Sequence, residues 1–376
     1  MLNLKTMAKV KNKALYIHIP FCTHLCAYCD FPKLIYNSRF VGAFLDALID
    51  EINSYDIEQC PSIYIGGGTP SSLNEEELIK LLKVVSPKLK KYGEFTFECN
   101  IENISKNKLL ILKQYGVTRL SFGVQSFNDE LLKSMNRHHN KEQTLEVIKI
   151  AKEIGFTNIN IDLIYGFKEQ TKELLIKDLE TFIGLNIPHL SIYSLTIHKN
   201  TVFGINNYQE QDEDSSRDYY DLILDFMVKH GYTRYEVSNF ALEGYESKHN
   251  QVYWNNDEYV GVGLGAEGYL DDIRYANTRS ISSYIKGKTI KTKEEVSLYD
   301  KMLYEIILRL RTKIGIDKEI FKSRYGSEYL LKLENSLEQF IKDGLIILNE
   351  DYICCSDNGL MILDHILRTI FIALEE

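Results

Sequence analysis

The chain has 376 residues, of which 44% are hydrophobic and 26% charged, a composition that excludes a disordered chain and suits one large domain with a smaller appendage. Its formal net charge of -9 excludes a protein built chiefly to grip a polyphosphate backbone, so nucleic acid is not an expected partner. No apolar run approaches the roughly 18 to 20 residues of a membrane helix.

Lysines at Lys5, Lys9, Lys11 and Lys13 precede an apolar stretch, Ala14 to Phe21, which His18 and Pro20 interrupt. That pattern is not read as a signal peptide, and the expected location is the cytoplasm. From Ala14 to about Thr196, short β-branched or aromatic runs alternate with longer amphipathic stretches, as in βα units around a parallel sheet. Six strands are predicted, roughly at 14–19, 62–66, 94–99, 118–123, 158–165 and 189–195. Between them, Asn74 is placed to cap a helix carrying Leu78, Leu81, Leu82 and Val85, with Glu77 reaching back. Ser105 and Gly116 bracket another helix containing Leu109, Leu110 and Leu112, and Asn128 opens a third. Past Tyr208 the rhythm breaks into an acidic stretch, a helix near 219–229 and an aromatic, glycine-rich run at 232–269. Beyond about Glu294 the pattern is mostly helical, with a hairpin near 345–354 and a closing helix from Gly359, which suggests a winged-helix-like module.

Seven cysteines is an odd number, and three of them, Cys22, Cys26 and Cys29, form C-x3-C-x2-C on the loop after the first strand. Metal binding in a reducing compartment fits this better than disulfides. Three thiolates holding a cube of four irons leave one iron open for a ligand. A zinc site is the alternative, with His24 as fourth ligand, although structural zinc sites more often join two separated pairs of ligands. Cys60, Cys99, Cys354 and Cys355 read as packing residues. The other strand ends are also equipped, as a parallel barrel requires: Gly66-Gly67-Gly68-Thr69-Pro70, then Glu98-Cys99-Asn100, then Gln125 with Arg137 beyond it, and Asp162.

The cluster run, with Tyr16-Ile17-His18-Ile19-Pro20 before it and Tyr28 ahead of the last cysteine, resembles the radical S-adenosylmethionine (SAM) superfamily. In detail it is similar to the branch containing anaerobic coproporphyrinogen III oxidase and the heme chaperones. The resemblance implies an α/β fold: a partial (β/α)6 TIM-like barrel over residues 1–208, a barrel extension over 209–294 and a winged-helix-like C-terminal domain over 295–376. It also implies a [4Fe-4S] cluster on the three cysteines, and SAM bound by Tyr16, Phe31, Gly67, Gly68, Thr69, Glu98, Gln125, Arg137 and Asp162. The implied chemistry is one-electron cleavage of SAM to methionine and a 5'-deoxyadenosyl radical, with a reductant protein such as a flavodoxin or ferredoxin as partner.

Within that branch, the oxidases typically carry a further cysteine two places after the third, where this chain has Phe31. The run His249-Asn250-Gln251-Val252-Tyr253-Trp254 matches the H-N-x-x-Y-W of the chaperones, as does Tyr235 to Phe240. The resemblance therefore implies heme as a ligand, with His249, Tyr253 and Trp254 as its candidate site, and a heme-acceptor protein as partner. The alternative it leaves is oxidative decarboxylation of coproporphyrinogen III in anaerobic heme synthesis. Two segments depart from the chaperone pattern: Gly166-Phe167-Lys168-Glu169-Gln170-Thr171, usually G-L-P-G-Q-T, and Ala266-Glu267-Gly268, usually A-H-S.

Overall fold

The computed structural model describes residues 9–375; Lys5 lies outside them. Six strands run parallel in chain order: β1 Ala14–Ile19, β2 Cys60–Gly67, β3 Leu89–Asn100, β4 Arg119–Gln125, β5 Asn158–Tyr165 and β6 His189–Ser194. All six lie where the sequence pattern puts them. Alternation along each strand divides the residues between two faces. Leu15, Ile17, Ile63, Ile65, Phe95, Phe97, Leu120, Phe122, Ile159 and Ile161 are fully buried in one continuous core with the surrounding helices. Burying each such side chain is worth roughly 1.5–3 kcal/mol, so the outer face holds the barrel together. The inner face is thereby free to be polar, and Tyr64, Glu98, Ser121, Asn160, Asp162 and Ser191 point into a cavity.

Local signals position the helices. Helix α1 (Ser38–Ser54) follows the cluster loop, and α2 (Glu75–Val85) starts at Asn74, which accepts from Glu77 N–H at 2.9 Å while the Glu77 carboxylate accepts from Asn74 N–H at 2.9 Å. Helix α3 (Lys106–Gln114) is capped by Ser105 and ends before Gly116, at φ +82°. Its Leu109 and Leu112 are buried and Leu110 is exposed. Asn128 caps α4 (Asp129–Ser134).

The sheet continues beyond the six expected strands. A seventh parallel strand, β7 (Tyr259–Gly263), pairs with the outer edge of β1 and three antiparallel strands follow it, while two short strands (Thr233–Glu236 and Asn239–Ala241) extend the sheet past β6, giving an open sheet of 12 strands. Two glycines in five residues concealed β7. Both are needed, because a Cβ on Gly261 would meet the Glu267 carbonyl and one on Gly263 the His18 carbonyl. Buried Glu51 on α1 clamps this edge, accepting from Gly263 N–H at 2.9 Å, from Asn277 Nδ2 at 2.7 Å and from the Tyr284 hydroxyl. Burial pushes its carboxyl upward, and the three donors pull it back.

Residues from Met302 to Leu374 form a second core around Ile306, Phe321, Leu333, Ile353 and Ile366. It combines a three-stranded sheet (Ile316–Asp317, Ile346–Leu348, Tyr352–Cys355) with helices. This module is joined to the barrel by Arg234 to Asp357 (2.6 Å), Arg309 to Asn255 (2.5 Å) and Lys313 N–H to the Tyr235 carbonyl (3.0 Å). Asn255 precedes the start of β7, so the module docks at the N-terminal end of the barrel and leaves the opposite mouth uncovered. No helix among the described residues is long and apolar enough to cross a membrane.

Candidate cluster and cofactor site

The loop after β1 is fixed by its backbone. Leu34 N–H donates to the Pro20 carbonyl (2.7 Å), Tyr36 N–H to Cys22 (2.8 Å), Ala27 N–H to Met135 (2.9 Å) and Phe203 N–H to Ala27 (2.9 Å). This brings Cys22, Cys26 and Cys29 onto the wall of one cavity of about 480 Å³. Cys22 Sγ accepts from Thr69 Oγ1 and Cys26 Sγ from Arg137 Nη1, each at 3.4 Å. Burial pushes the Cys22 thiol up to about 11 and raises Cys29 as well; a bound metal centre would favour their thiolate forms.

His24 does not complete a zinc site. Its ring stacks on His138 at 4.0 Å, Nε2 lies 2.9 Å from Glu102 Oε1 in a contact bent away from hydrogen-bond geometry, and Nδ1 faces Thr23. Among the described residues no three His, Cys, Asp or Glu side chains are grouped to hold a single metal ion. Three thiols spread around a roomy cavity fit a multi-iron cluster instead. Cys60 and Cys99 are buried in the barrel core and Cys355 in the C-terminal core, as packing residues.

The glycine run lets the next strand approach this loop. Gly67 has φ +114° and donates its N–H to Glu98 Oε2 at 3.1 Å, while Tyr64 OH donates to Oε1 at 2.6 Å. A Cβ on Gly68 would lie 2.8 Å from the Pro20 carbonyl and 3.1 Å from Cys22 Sγ. Burial, reinforced by Asp162, moves the Glu98 carboxyl up to about 7 against the hydrogen bond from Tyr64. Asp162 is raised by burial too, and accepts from Asn160 Nδ2 at 2.8 Å.

Arg137 is buried beside the cluster loop, donating to the Gly123 carbonyl and lying 3.7 Å from Glu102. Although burial pushes the Glu102 carboxyl up, His139, His24 and Arg137 together hold it well below the usual range. Gln125, at φ +72°, ends β4 in a conformation uncommon outside glycine.

The profile of the Radical SAM superfamily matches residues 16–182, and that of the HemN C-terminal domain residues 296–362. A Lactococcus lactis protein named heme chaperone HemW is 38% identical, over 93% of this chain and 94% of its own length. The Bacillus subtilis HemW is 38% identical over 92% and 96%, and that of Escherichia coli 31% over 96% and 99%. This chain belongs to the HemW family of radical SAM proteins. The solved structure of coproporphyrinogen III oxidase (HemN) from Escherichia coli superposes with a TM-score of 0.85 at 24% identity, covering 98% of this chain and 92% of that one, and this likeness establishes the shared fold.

For a HemW-family chain the placement of the expected residues is informative. Phe31, Gly67, Gly68, Thr69, Glu98, Gln125, Arg137 and Asp162 all line the cavity with the three cysteines. Tyr16 does not. It lies on the inner face but below the cavity, with its hydroxyl 3.0 Å from His18 Nδ1. The HemW-type run is a short helix, α5 (Lys248–Trp254), plugging the opposite end of the barrel. There His249 is fully buried, its Nδ1 2.9 Å from Ser62 Oγ and its Nε2 2.9 Å from Tyr253 OH. Burial lowers its pKa to about 3. His249, Tyr253 and Trp254 are therefore not presented to the cavity, and from this helix only Asn250 reaches its wall.

Sequence reasoning also missed Tyr64, Arg119, Asn160 and Ser191, all on the cavity wall. Polar residues at every second position of otherwise apolar strands were the available signal. Asn160 organises this floor, donating to Ser121 Oγ at 2.7 Å and accepting from Ser191 Oγ at 3.2 Å.

Proposed function

We propose that this protein is a heme chaperone that binds a [4Fe-4S] cluster on Cys22, Cys26 and Cys29, binds SAM beside it, and delivers heme to an acceptor protein. The full-length identity to HemW proteins is the observation that carries the reading. Phe31, in place of the oxidases' further cysteine, separates the chain from porphyrinogen oxidation. A bound cluster with an open iron supplies one-electron reduction of SAM.

The chain's own groups do the rest. The Gly67–Thr69 segment, whose N–H groups already donate to Glu98, Ile19 and Phe21, offers its C=O groups to the methionine end of SAM, Arg137 and Gln125 face the same end, and Glu98 and Asp162 accept from the ribose hydroxyls. Arg137 is suited to a carboxylate by its planar fork.

Because both Glu98 oxygens already accept hydrogen bonds, the group serves ribose best when ionised. It carries a proton below about pH 7, so SAM affinity is expected to fall as pH drops through 7. The loss is roughly tenfold between pH 8 and pH 6 if only the ionised form binds. Glu98→Gln should bind more weakly and flatten the profile, as read by calorimetry on the cluster-loaded protein. A wild-type profile that is already flat contradicts this role.

The reading itself is tested by heme titration of anaerobically reconstituted protein, alongside incubation with coproporphyrinogen III and SAM under reducing conditions. Heme uptake near one per chain with no porphyrinogen turnover is expected. Sustained formation of protoporphyrinogen assigns the oxidase function instead, and absence of heme uptake removes the chaperone role.

A further inference from the structure

The nine histidines differ sharply in what their ring nitrogens are doing. Four have both engaged inside the protein: His18 by Tyr16 and the Pro32 carbonyl, His139 by Glu102 and the Val124 carbonyl, His189 by Asn160 and Tyr235, and His249 by Ser62 and Tyr253. Giving such a nitrogen to iron would leave buried polar groups unpaired, each at a cost of about 1–3 kcal/mol. Two histidines line the cavity, His24 and His198. His24 is stacked on His138 with its nitrogens turned to Thr23 and Glu102.

His198 is arranged differently. Its side chain is 50% exposed at the cavity mouth, and Nε2 lies 3.4 Å from Oδ2 of Asp30, the residue after Cys29. That contact lacks hydrogen-bond geometry; it sets the carboxylate beside Nε2 of a half-exposed ring without committing the imidazole inside the protein. Here the nitrogen left for a metal is Nδ1. The segment bearing His198 is held against the cluster loop by the Phe203 N–H to Ala27 carbonyl bond (2.9 Å), and Thr201 caps the helical turn Val202–Ile205 that follows.

Phe31, which lines the cavity with His198, faces solvent, and further apolar side chains are exposed on the cluster loop and on the turn bonded to it. Phe31 is 65% exposed and Ile205 70%, with Leu25 and Val202 also exposed. Exposed apolar side chains around one loop mark a binding surface, and Lys199, next in sequence to His198, is exposed as well. A half-exposed imidazole and an exposed aromatic ring on one cavity wall, with a lysine next in sequence to that histidine, match the iron, the flat macrocycle and the propionates of one ligand class.

We propose that heme docks at this mouth with His198 Nδ1 as an axial ligand to its iron, Phe31 against the macrocycle and Lys199 beside a propionate. This rests on the heme-chaperone reading and places heme at the opposite end of the barrel from His249. The test is hemin titration of the full-length, cluster-reconstituted protein, followed by Soret absorption and by electron paramagnetic resonance of the ferric heme. His198→Ala should weaken heme binding by at least about tenfold and lose the imidazole-ligand spectrum, with added imidazole restoring that spectrum and cluster iron and sulfide unchanged. Wild-type affinity and an unaltered spectrum in His198→Ala overturn the proposal, as does loss of the imidazole ligand in His249→Ala alone while the cluster persists. Failure of the wild-type protein to take up heme is a separate result, visible without any variant; it removes the chaperone reading and the docking site with it.

Discussion

Cys26→Ala is expected to yield a folded chain that assembles less than about a tenth of the wild-type cluster and has no measurable affinity for SAM. Cys26 is half-buried on a loop whose shape is set by main-chain bonds at Pro20, Cys22 and Ala27, none of which uses its sulfur. Its side-chain partner is Arg137 Nη1, and the guanidinium keeps its contacts with Gly123 and Glu102 after the thiol is gone. Fold and metal are thus separable at this residue. Two remaining thiolates cannot secure a cubane, and the iron that should chelate SAM is lost with it. Iron and sulfide analysis alongside circular dichroism checks the prediction, and wild-type iron content in a folded variant contradicts it.

Gly67→Ala is expected to lower stability by about 2–4 kcal/mol and to weaken SAM binding in whatever protein remains folded. At φ +114° an L-residue costs about 1–2 kcal/mol through its Cβ alone. That Cβ would also lie 2.7 Å from the His18 ring. The ring has little freedom to yield, since Tyr16 OH holds one nitrogen and the Pro32 carbonyl the other, at 3.0 and 2.8 Å. Relief by backbone movement would pull the Gly67 N–H away from Glu98 and carry Gly68 into Pro20. Gly116→Ala is the control: its φ is also positive, at +82°, but nothing lies within 4 Å of the new Cβ, so about 1 kcal/mol is expected. Urea unfolding distinguishes the two, and equal losses would mean that backbone conformation alone, without the His18 contact, sets the cost.

Much of this architecture was legible in the residues. The six barrel strands are runs of Ile, Leu, Val and Phe bounded by turn residues, and the Asn74–Glu77 box and the Ser105 cap are local chemistry that neighbouring structure does not override. Strand β7 was hidden because Tyr259-Val-Gly-Val-Gly carries two glycines, demanded by contacts with Glu267 and His18 that lie far off in sequence. The cysteine spacing and the glycine run identified the cavity wall because each needs only its own short segment.

The His249 run was harder to interpret. A motif names residues without saying at which end of a barrel they fall, and only the pairing of Ser62 with His249, 187 positions apart, shows the imidazole facing inward. His198 offered no motif at all. Its relation to Asp30 exists only because the segment after β6 folds back onto the cluster loop.

The most direct measurement is electron paramagnetic resonance of dithionite-reduced, anaerobically reconstituted protein before and after addition of SAM. A reduced [4Fe-4S] signal whose g-values move when SAM is added places the cofactor on an iron that the cysteines leave free. A reduced-cluster signal indifferent to SAM, or preparations holding zinc without inorganic sulfide, would contradict the account.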